Sequence, residues 1–555
     1  LKQTISIDVR RLRLYNAGMS KLAIFDLGSN TCRLVIYTLA PDGAFRLTDQ
    51  VSETVRIGEN MIGSGMLQPE PMHRALQLLK MYAGLCAANG IEHTIATATS
   101  AVRDARNGAE FVERVRKETG LALQILSGDA EAFYAYAGAI NGFALRDALI
   151  ADLGGGSLEL MQVQNRQPVS GTSLPLGAVR LSEQFLRGDS ISKSAAKALT
   201  AHIDAQLQSF ARGQPAPVTN LIALGGTARA LAKVDQRRRG YPIERLHAYE
   251  LSAEAVEEIA DELLKKDLAA RLKIKGLKDE RADIIPAGAL VIRQLMRYTG
   301  ARSLLVSGRG LREGLLYEYL LKRVYAARED ISPVIQDVRA FGIANLSLLY
   351  QIEWAHAQQV CQLALELFDG LRELHGLANQ ERALLAYAAI LHDSGVLIDY
   401  YRHHHHSAYL IENADLPGFT HREIALLALL VRWHRRGEPS LEPYEMLCRK
   451  SDAALLDKLV ACLRLAEDLE RSRAQVVRHA QPQWTAQEIR VVVETRQAAE
   501  AELWAANRET ALWQRAFGRT LRVVAAPSSR GESVDAEAQE NIAARAARIS
   551  ALTTR

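Results

Sequence analysis

The sequence predicts an α/β protein with an internally duplicated core, followed by an all-helical region and a small C-terminal α/β piece. Three observations carry this expectation. From Leu22 to about Leu321, short apolar runs of strand length alternate with longer amphipathic stretches. Two segments, A-I-F-D-L-G-S-N-T-C-R-L-V-I-Y at 23–37 and L-I-A-D-L-G-G-G-S-L-E-L-M-Q-V at 149–163, repeat one plan of strand, Asp-Leu-Gly turn, small polar residues and second strand. After Arg323 the strand signal fades, and Leu and Ala recur at helical spacing from Pro333 to about Ser472.

Strands are expected at 22–27, 33–39, 94–98, 148–153, 158–163, 221–224 and 304–306, where apolar and β-branched residues run between turn signals. A helix is expected over 69–88, and another from Asn107 onward, with Asn107 and Glu110 forming a capping box. Near the end, 488–494 and 520–525 read as strands around helical stretches. The expected boundaries are 1–18 for a disordered leader or tag, 19–145 and 146–325 for the two halves of the duplicated core, 330–475 for the helical domain, 476–526 for the small α/β piece and 527–555 for a flexible tail with a frayed helix.

Composition narrows the function. With 68 Lys+Arg against 64 Asp+Glu the formal charge is +4, too small for a coat that binds nucleic acid in bulk, so any anion site is local. Five scattered cysteines form no C-x-x-C pair, which suits a reducing, cytoplasmic setting. No apolar run approaches the ~18 residues of a membrane span, and the first twenty residues lack the apolar core of a signal peptide.

The duplicated turns carry the chemistry. Glycine-rich turns let backbone N–H groups approach an anion closely, because no Cβ intervenes. Gly28, Ser29, Asn30 and Thr31 offer this in the first copy, and Gly154, Gly155, Gly156 and Ser157 in the second. Asp26, Asp152 and Glu159 stand at the same turns. Carboxylates beside phosphate donors call for a bridging divalent cation, Mg²⁺ first and Mn²⁺ second. A third segment, L-G-G-T-A-R-A-L at 224–231, places Gly225, Gly226 and Thr227 at a helix start, which reads equally as an anion site or as close helix-to-strand packing.

F-D-L-G-S-N-T-C-R-L at 25–34, A-T-S-A-V-R-D-A at 98–105, S-G-D-A-E-A at 127–132, D-L-G-G-G-S-L-E at 152–159, G-A-V-R-L at 177–181, E-R-A-D-I-I-P-A-G at 280–288 and S-G-R-G-L-R-E-G at 307–314 resemble, in order, the exopolyphosphatase and guanosine pentaphosphate phosphohydrolase family. The resemblance implies the duplicated fold of actin, sugar kinases and Hsp70, and Mg²⁺-dependent hydrolysis of a terminal phosphoanhydride; the sequence does not state whether a monovalent cation such as K⁺ is also needed. It places Glu131 as general base on the attacking water and Arg103 on the terminal phosphate. The family often has two consecutive glutamates before the alanine; here Ala130 takes the first place, leaving Glu131 unless Asp129 substitutes.

In the helical region, His356, the pair His392 and Asp393, and Glu467 beside Asp468 resemble the HD phosphohydrolase superfamily, which implies a metal site on His356, His392, Asp393 and Glu467. In the exopolyphosphatase family this domain is often a catalytically silent scaffold, and that reading is preferred. Y-R-H-H-H-H-S-A-Y-L at 401–410 and V-R-W-H-R-R at 431–436 resemble the long-form exopolyphosphatases. Arg402, His404, Arg432, Arg435 and Arg436 are expected to line a groove for a polyanion, the alternative being a solvated charged face. The expected activity is a homodimeric exopolyphosphatase releasing orthophosphate from inorganic polyphosphate. The alternatives are hydrolysis of guanosine pentaphosphate, or of its tetraphosphate relative, on the same site, and a non-catalytic polyphosphate- or alarmone-binding regulator. Neither nucleic acid nor membrane is an expected partner.

Overall fold

The computed structural model describes residues 18–61, 63–211, 220–324, 333–526 and 541–554. The leader expected at 1–18 falls outside them except for Gly18, as do 527–540 of the expected tail. The chain divides into two compact units, 1–336 and 337–555.

The first unit is built twice. Strands β1 (Ser20–Leu27), β2 (Thr31–Leu39), β3 (Phe45–Thr54), β4 (His93–Ala98) and β5 (Leu123–Ile125) form a sheet of order β3-β2-β1-β4-β5. Strands β6 (Ala148–Leu153), β7 (Leu158–Gln164), β8 (Gln167–Leu174), β9 (Leu221–Leu224), β10 (Tyr249–Ser252) and β11 (Ser303–Val306) form the second, of order β10-β11-β9-β6-β7-β8. In each, the first three strands form an antiparallel meander, and its first strand pairs in parallel with the next. β10 is an added antiparallel edge. The register repeats as well: Asp26 pairs with Arg33 across β1 and β2, and Asp152 with Glu159 across β6 and β7. In both turns the glycine N–H donates to a carbonyl three residues on, Gly28 to Thr31 and Gly154 to Ser157, at 3.0 Å.

β1 is covered on both faces, with Leu22, Ala23, Ile24 and Phe25 fully buried, so its sequence is a continuous apolar run. β3 and β8 are mostly exposed meander arms, too polar to stand out as strands. The helix expected at 69–88 is present as Pro69–Ala88, with Pro at its start and Ala75, Leu76, Leu79, Tyr82 and Cys86 buried along one stripe. The capping box expected at Asn107 is absent. Asn107 precedes the helix Gly108–Thr119, but its amide accepts from Leu67 N at 2.8 Å and donates to Leu67 O at 3.1 Å, tying the helix start to the preceding loop.

In the second unit, helices Val338–Leu349, Trp354–Gly370, Asn379–Leu391, His403–Asn413, His421–Trp433 and Asp452–Leu469 carry a three-stranded sheet of β12 (Val477–Trp484), β13 (Glu488–Thr495) and β14 (Thr520–Ala525). The C-terminal α/β piece is part of this unit rather than a separate domain. Glu366 of the second helix accepts from His479 Nδ1 and from Ala480 N of β12, both at 2.8 Å, and Gln359 donates to Val477 O at 2.7 Å. The tail is corrected too: Ile542–Thr553 is a helix with Ile542 and Ile549 fully buried, and Arg382 donates to Leu552 O at 2.7 Å.

One contact in the first unit is made backbone against backbone. A Cβ on Gly138, in the helix Gly128–Ile140, would stand 1.9 Å from Gly310 O, and one on Gly314, in Leu311–Val324, 2.1 Å from Tyr134 O. This crossing seats the helix that carries Glu131. Gly138→Ala is expected to destabilise the unit by about 2 kcal/mol or more, because neither backbone can give way; the measurement is the midpoint of urea unfolding. An unchanged midpoint would show that the helices separate freely.

Candidate active site and the histidine cluster

The two duplicated turns face one another in the first unit. A Cβ on Gly155 would lie 3.3 Å from Ser29 Cβ and 3.5 Å from Asn30 Cβ, and one on Gly156 2.9 Å from Ser100 Oγ. Ser29 Oγ and Ser100 Oγ are 2.9 Å apart. Gly177, from G-A-V-R-L, lies directly against Gly155 and Gly156 and leaves no room for a side chain. The structure therefore brings together Gly28, Ser29, Asn30 and Thr31 with Gly154, Gly155, Gly156 and Ser157.

Glu131 lies in the first turn of a helix whose N-cap, Ser127, accepts from Ala130 N at 3.1 Å. Its side chain is 14% exposed, whereas Asp129 is exposed to solvent, so Glu131 is the carboxylate turned inward. Arg103 Nη1 donates to Glu131 Oε2 at 2.7 Å and to Leu126 O at 3.2 Å. Arg103 thus orients Glu131 directly, a contact that neither residue's motif reveals.

Burial, opposed by Arg103 and reinforced by Asp152 and Asp26, raises Glu131 to about 7. Burial and the Glu131 and Asp152 charges raise Glu159 to about 8, and burial raises Asp152 to about 6. A carboxylate whose pKa lies near neutrality is well placed to take a proton from water. Among the described residues, groups of three ligand atoms mutually within 4.8 Å occur in the second unit, not at Asp26, Asp152 and Glu159. Asp26 instead lies 3.9 Å from Arg312 Nε and pairs across the strand with Arg33. Asp152 and Glu159 remain the acidic pair.

Four arginines sit within electrostatic reach of one another. Burial and the guanidinium groups of Arg33, Arg312 and Arg281 push Arg229 down to about 9. Arg312 Nη1 and both amide atoms of Asn30 are buried with no hydrogen-bond partner. Gathered like charges and orphaned donors fit an anion such as phosphate. Each arginine lies inside a motif quoted above, but nothing in the sequence shows that the four converge.

In the segment 224–231 both glycines are closely packed. Gly225, at φ +91°, lies where a Cβ would be 2.2 Å from Leu153 O, and Gly226 lies against the Arg281 guanidinium.

In the second unit, His356, His392, Asp393 and Glu467 come together as expected. His392 Nε2 and His356 Nε2 lie 3.1 and 3.2 Å from Glu467 Oε2, and 3.7 and 3.8 Å from Asp393. His403 and His434 join them, with His403 Nε2 3.1 Å from Asp393 Oδ1. Of the residues expected to line a polyanion groove, His404 is placed differently. The helix His403–Asn413 buries His403, His404, Ser407, Ala408 and Ile411, a spacing that turns the histidine tract inward. His404 is 5% exposed, and burial with the neighbouring His405 and His403 lowers it to about 4, so it is neutral. Arg402 and Arg436 are exposed, whereas Arg432 lies over Trp433 and Arg435 over Tyr400. Arg402, Arg432 and Arg436 all act electrostatically on His405, and Arg435 and Arg436 on His404.

The Ppx/GppA phosphatase family profile matches residues 36–323, and that of the family's domain III matches 338–510. A guanosine-5'-triphosphate,3'-diphosphate pyrophosphatase of Vibrio vulnificus is 28% identical over 477 residues, covering 82% of this chain and 88% of that protein. The crystal structure of an exopolyphosphatase from Cytophaga hutchinsonii matches at 25% identity and a TM-score of 0.51, covering 54% of this chain and 98% of the other. That of the Aquifex aeolicus Ppx/GppA family member matches at 28% identity and a TM-score of 0.49, covering 57% and 100%. With the duplicated actin-like core in its first unit and a family profile spanning more than half of its length, the chain belongs to the Ppx/GppA phosphatase family.

Proposed function

We propose that the first unit hydrolyses the terminal phosphoanhydride of inorganic polyphosphate, releasing orthophosphate, with Glu131 as general base. The observation that carries this reading is the Glu131 carboxylate, held by Arg103 at 2.7 Å and raised to about 7, beside orphaned anion donors. Water is a poor nucleophile; a fixed carboxylate accepts its proton as it attacks the terminal phosphorus in line. Arg33, Arg229, Arg281 and Arg312 bind the non-bridging oxygens, and the facing turns hold the adjoining phosphate through backbone N–H groups. Several guanidinium groups around one acidic pair suit a substrate that presents consecutive phosphates.

Asp152 and Glu159 suit Mg²⁺, which is commonly held by one or two carboxylates with substrate and water oxygens completing its shell. When bound, it would neutralise charge on the transferred phosphoryl group.

A second reading, hydrolysis of guanosine pentaphosphate on the same site, is favoured by the Vibrio vulnificus relative, which matches most of the chain. Phosphate release from long polyphosphate and from guanosine pentaphosphate, measured side by side with Mg²⁺, decides between them. A higher kcat/KM on polyphosphate is expected, and the opposite ranking would reassign the substrate.

Glu131→Gln is expected to keep the fold and polyphosphate affinity while slowing turnover by on the order of 10²-fold or more. Wild-type turnover in this variant would remove Glu131 from the mechanism. The acidic groups also set a pH dependence. Their folded pKa values are raised, so their stabilising contribution is complete below the unfolded carboxylate range near about 4 and is lost as pH rises through 6 to 8. Without divalent cations the melting temperature is expected to fall across that window. Mg²⁺ should offset the fall, and Glu159→Gln should flatten it. A melting temperature insensitive to Mg²⁺ at alkaline pH would place the cation elsewhere.

A further inference from the structure

Beyond the end of β3 the chain runs along the first of the two glycine-rich turns. Val55 N and Arg56 N donate to Asn30 O at 3.0 and 2.9 Å, and Gly58 N donates to Ser29 O at 3.2 Å. A Cβ on Gly58 would lie 3.3 Å from Ala101 Cβ and 3.6 Å from Ser29 Cβ, so the segment is seated closely against the turn. Val55 and Ile57 are buried in the core of the first half, and Arg74, from the helix Pro69–Ala88, donates to Val55 O at 3.1 Å and pairs with Glu59 at 2.7 Å. The segment 55–59 is thus a fixed part of that half.

Arg56, between these two apolar anchors, reaches the other half. Its backbone is left-handed, at φ +47°, a conformation that a residue with a side chain keeps only where its surroundings hold it. Arg56 Nη1 lies 2.9 Å from Asp283 Oδ2, and Nη2 donates to Glu280 O at 3.5 Å. Both partners belong to E-R-A-D-I-I-P-A-G, and between them stands Arg281, which acts electrostatically on Arg229 and feels Arg33. Arg180 Nη2 to Asp104 at 3.8 Å and Arg312 Nε to Asp26 at 3.9 Å also cross between the halves, but at these lengths neither contact is a hydrogen bond.

One residue therefore holds the first turn by its main-chain N–H and the segment that carries Arg281 by its side chain. The groups on either side of it are short of protein partners: both amide atoms of Asn30 and Asp283 Oδ1 are buried and make no hydrogen bond. Arg56 and Asp283 are 31% and 39% exposed, and an ion pair this open to water contributes little to stability. What it does supply is alignment of two elements that have no strand pairing to each other.

We propose that Arg56 is a positioning residue for phosphate binding: through Asp283 and Glu280 it keeps the Asn30 turn of the first half in register with Arg281 of the second, so that both meet one bound phosphate chain. The inference rests on the reading that the facing turns and the arginine group bind phosphate. A residue that sets this grip affects ground state and transition state alike, so its loss raises KM and spares kcat.

The test uses the full-length protein, with inorganic phosphate as the probe in titration calorimetry and with steady-state kinetics on the better of the two candidate substrates. Arg56→Gln and Asp283→Asn are each expected to weaken phosphate binding and raise KM roughly tenfold, the middle of the range for residues coupled in one network. The double variant should be no weaker than either single one, Arg56→Lys should recover part of the loss, and kcat should stay within about twofold throughout. Arg281→Gln reports on the underlying reading. Weakened binding in Arg281→Gln with wild-type affinity and KM in Arg56→Gln overturns the positioning role alone, as do additive losses in the double variant or a fall in kcat at unchanged KM. Unchanged phosphate affinity in Arg281→Gln places the anion elsewhere and overturns the reading together with the inference. Melting temperatures check the fold, and Asp283→Asn, on the opposite half, carries the test where Arg56→Gln does not fold.

Discussion

The first unit must hold buried carboxylates and buried guanidinium groups side by side without letting them cancel. An Asp or Glu paired fully with an Arg would become an inert structural ion pair, its pKa driven down and its oxygens occupied. The protein sets two acids opposite each other on one of its two-strand turns and an acid opposite a base on the other. Asp152 and Glu159 face each other across one hairpin, and Arg33 stands opposite Asp26 on its counterpart. Arg103 is hydrogen-bonded to Glu131, and even there burial outweighs the arginine. Such frustration is unfavourable for folding alone, and on the proposed reading an anion and a cation entering together would relieve it.

The stiffness that permits this comes from glycine, used where backbones touch. Gly177 against Gly155 and Gly156, Gly225 against Leu153, and Gly138 and Gly314 at the helix crossing each remove a Cβ that would separate two elements. Dense packing without side chains transmits position well, because neither partner has a rotamer to adjust. The second unit uses the same device at Gly395, where it aligns a turn with the start of a helix.

The sequence was most legible where burial is complete. Strands at 148–153, 221–224 and 520–525 and the helix at 69–88 coincide with the observed elements because central strands read as unbroken apolar runs and this helix shows a regular stripe. β3 and β8 were not legible, since their exposed faces carry no hydrophobic alternation and pairing to a neighbour alone makes them strands. Likewise the turns, Glu131 and Arg103 could be found from motifs, but the convergence of Arg33, Arg229, Arg281 and Arg312 is a property of topology. His404 shows the opposite failure: a run of four histidines looks cationic until the helix that carries it is seen to bury two of them and leave one neutral.

The repeated hairpins share a backbone but differ in charge at the position opposite the aspartate, where the first has Arg33 and the second Glu159. Two identical grips would hold a phosphate chain equally well in either direction. Exchanging a cation for an anion at that position gives the cleft a polarity: one wall attracts negative oxygens and the other rejects them unless a metal intervenes. A uniform polymer carries no label for which of its ends should enter. If the substrate is polyphosphate, as proposed, direction is then imposed by this difference in charge between the two hairpins.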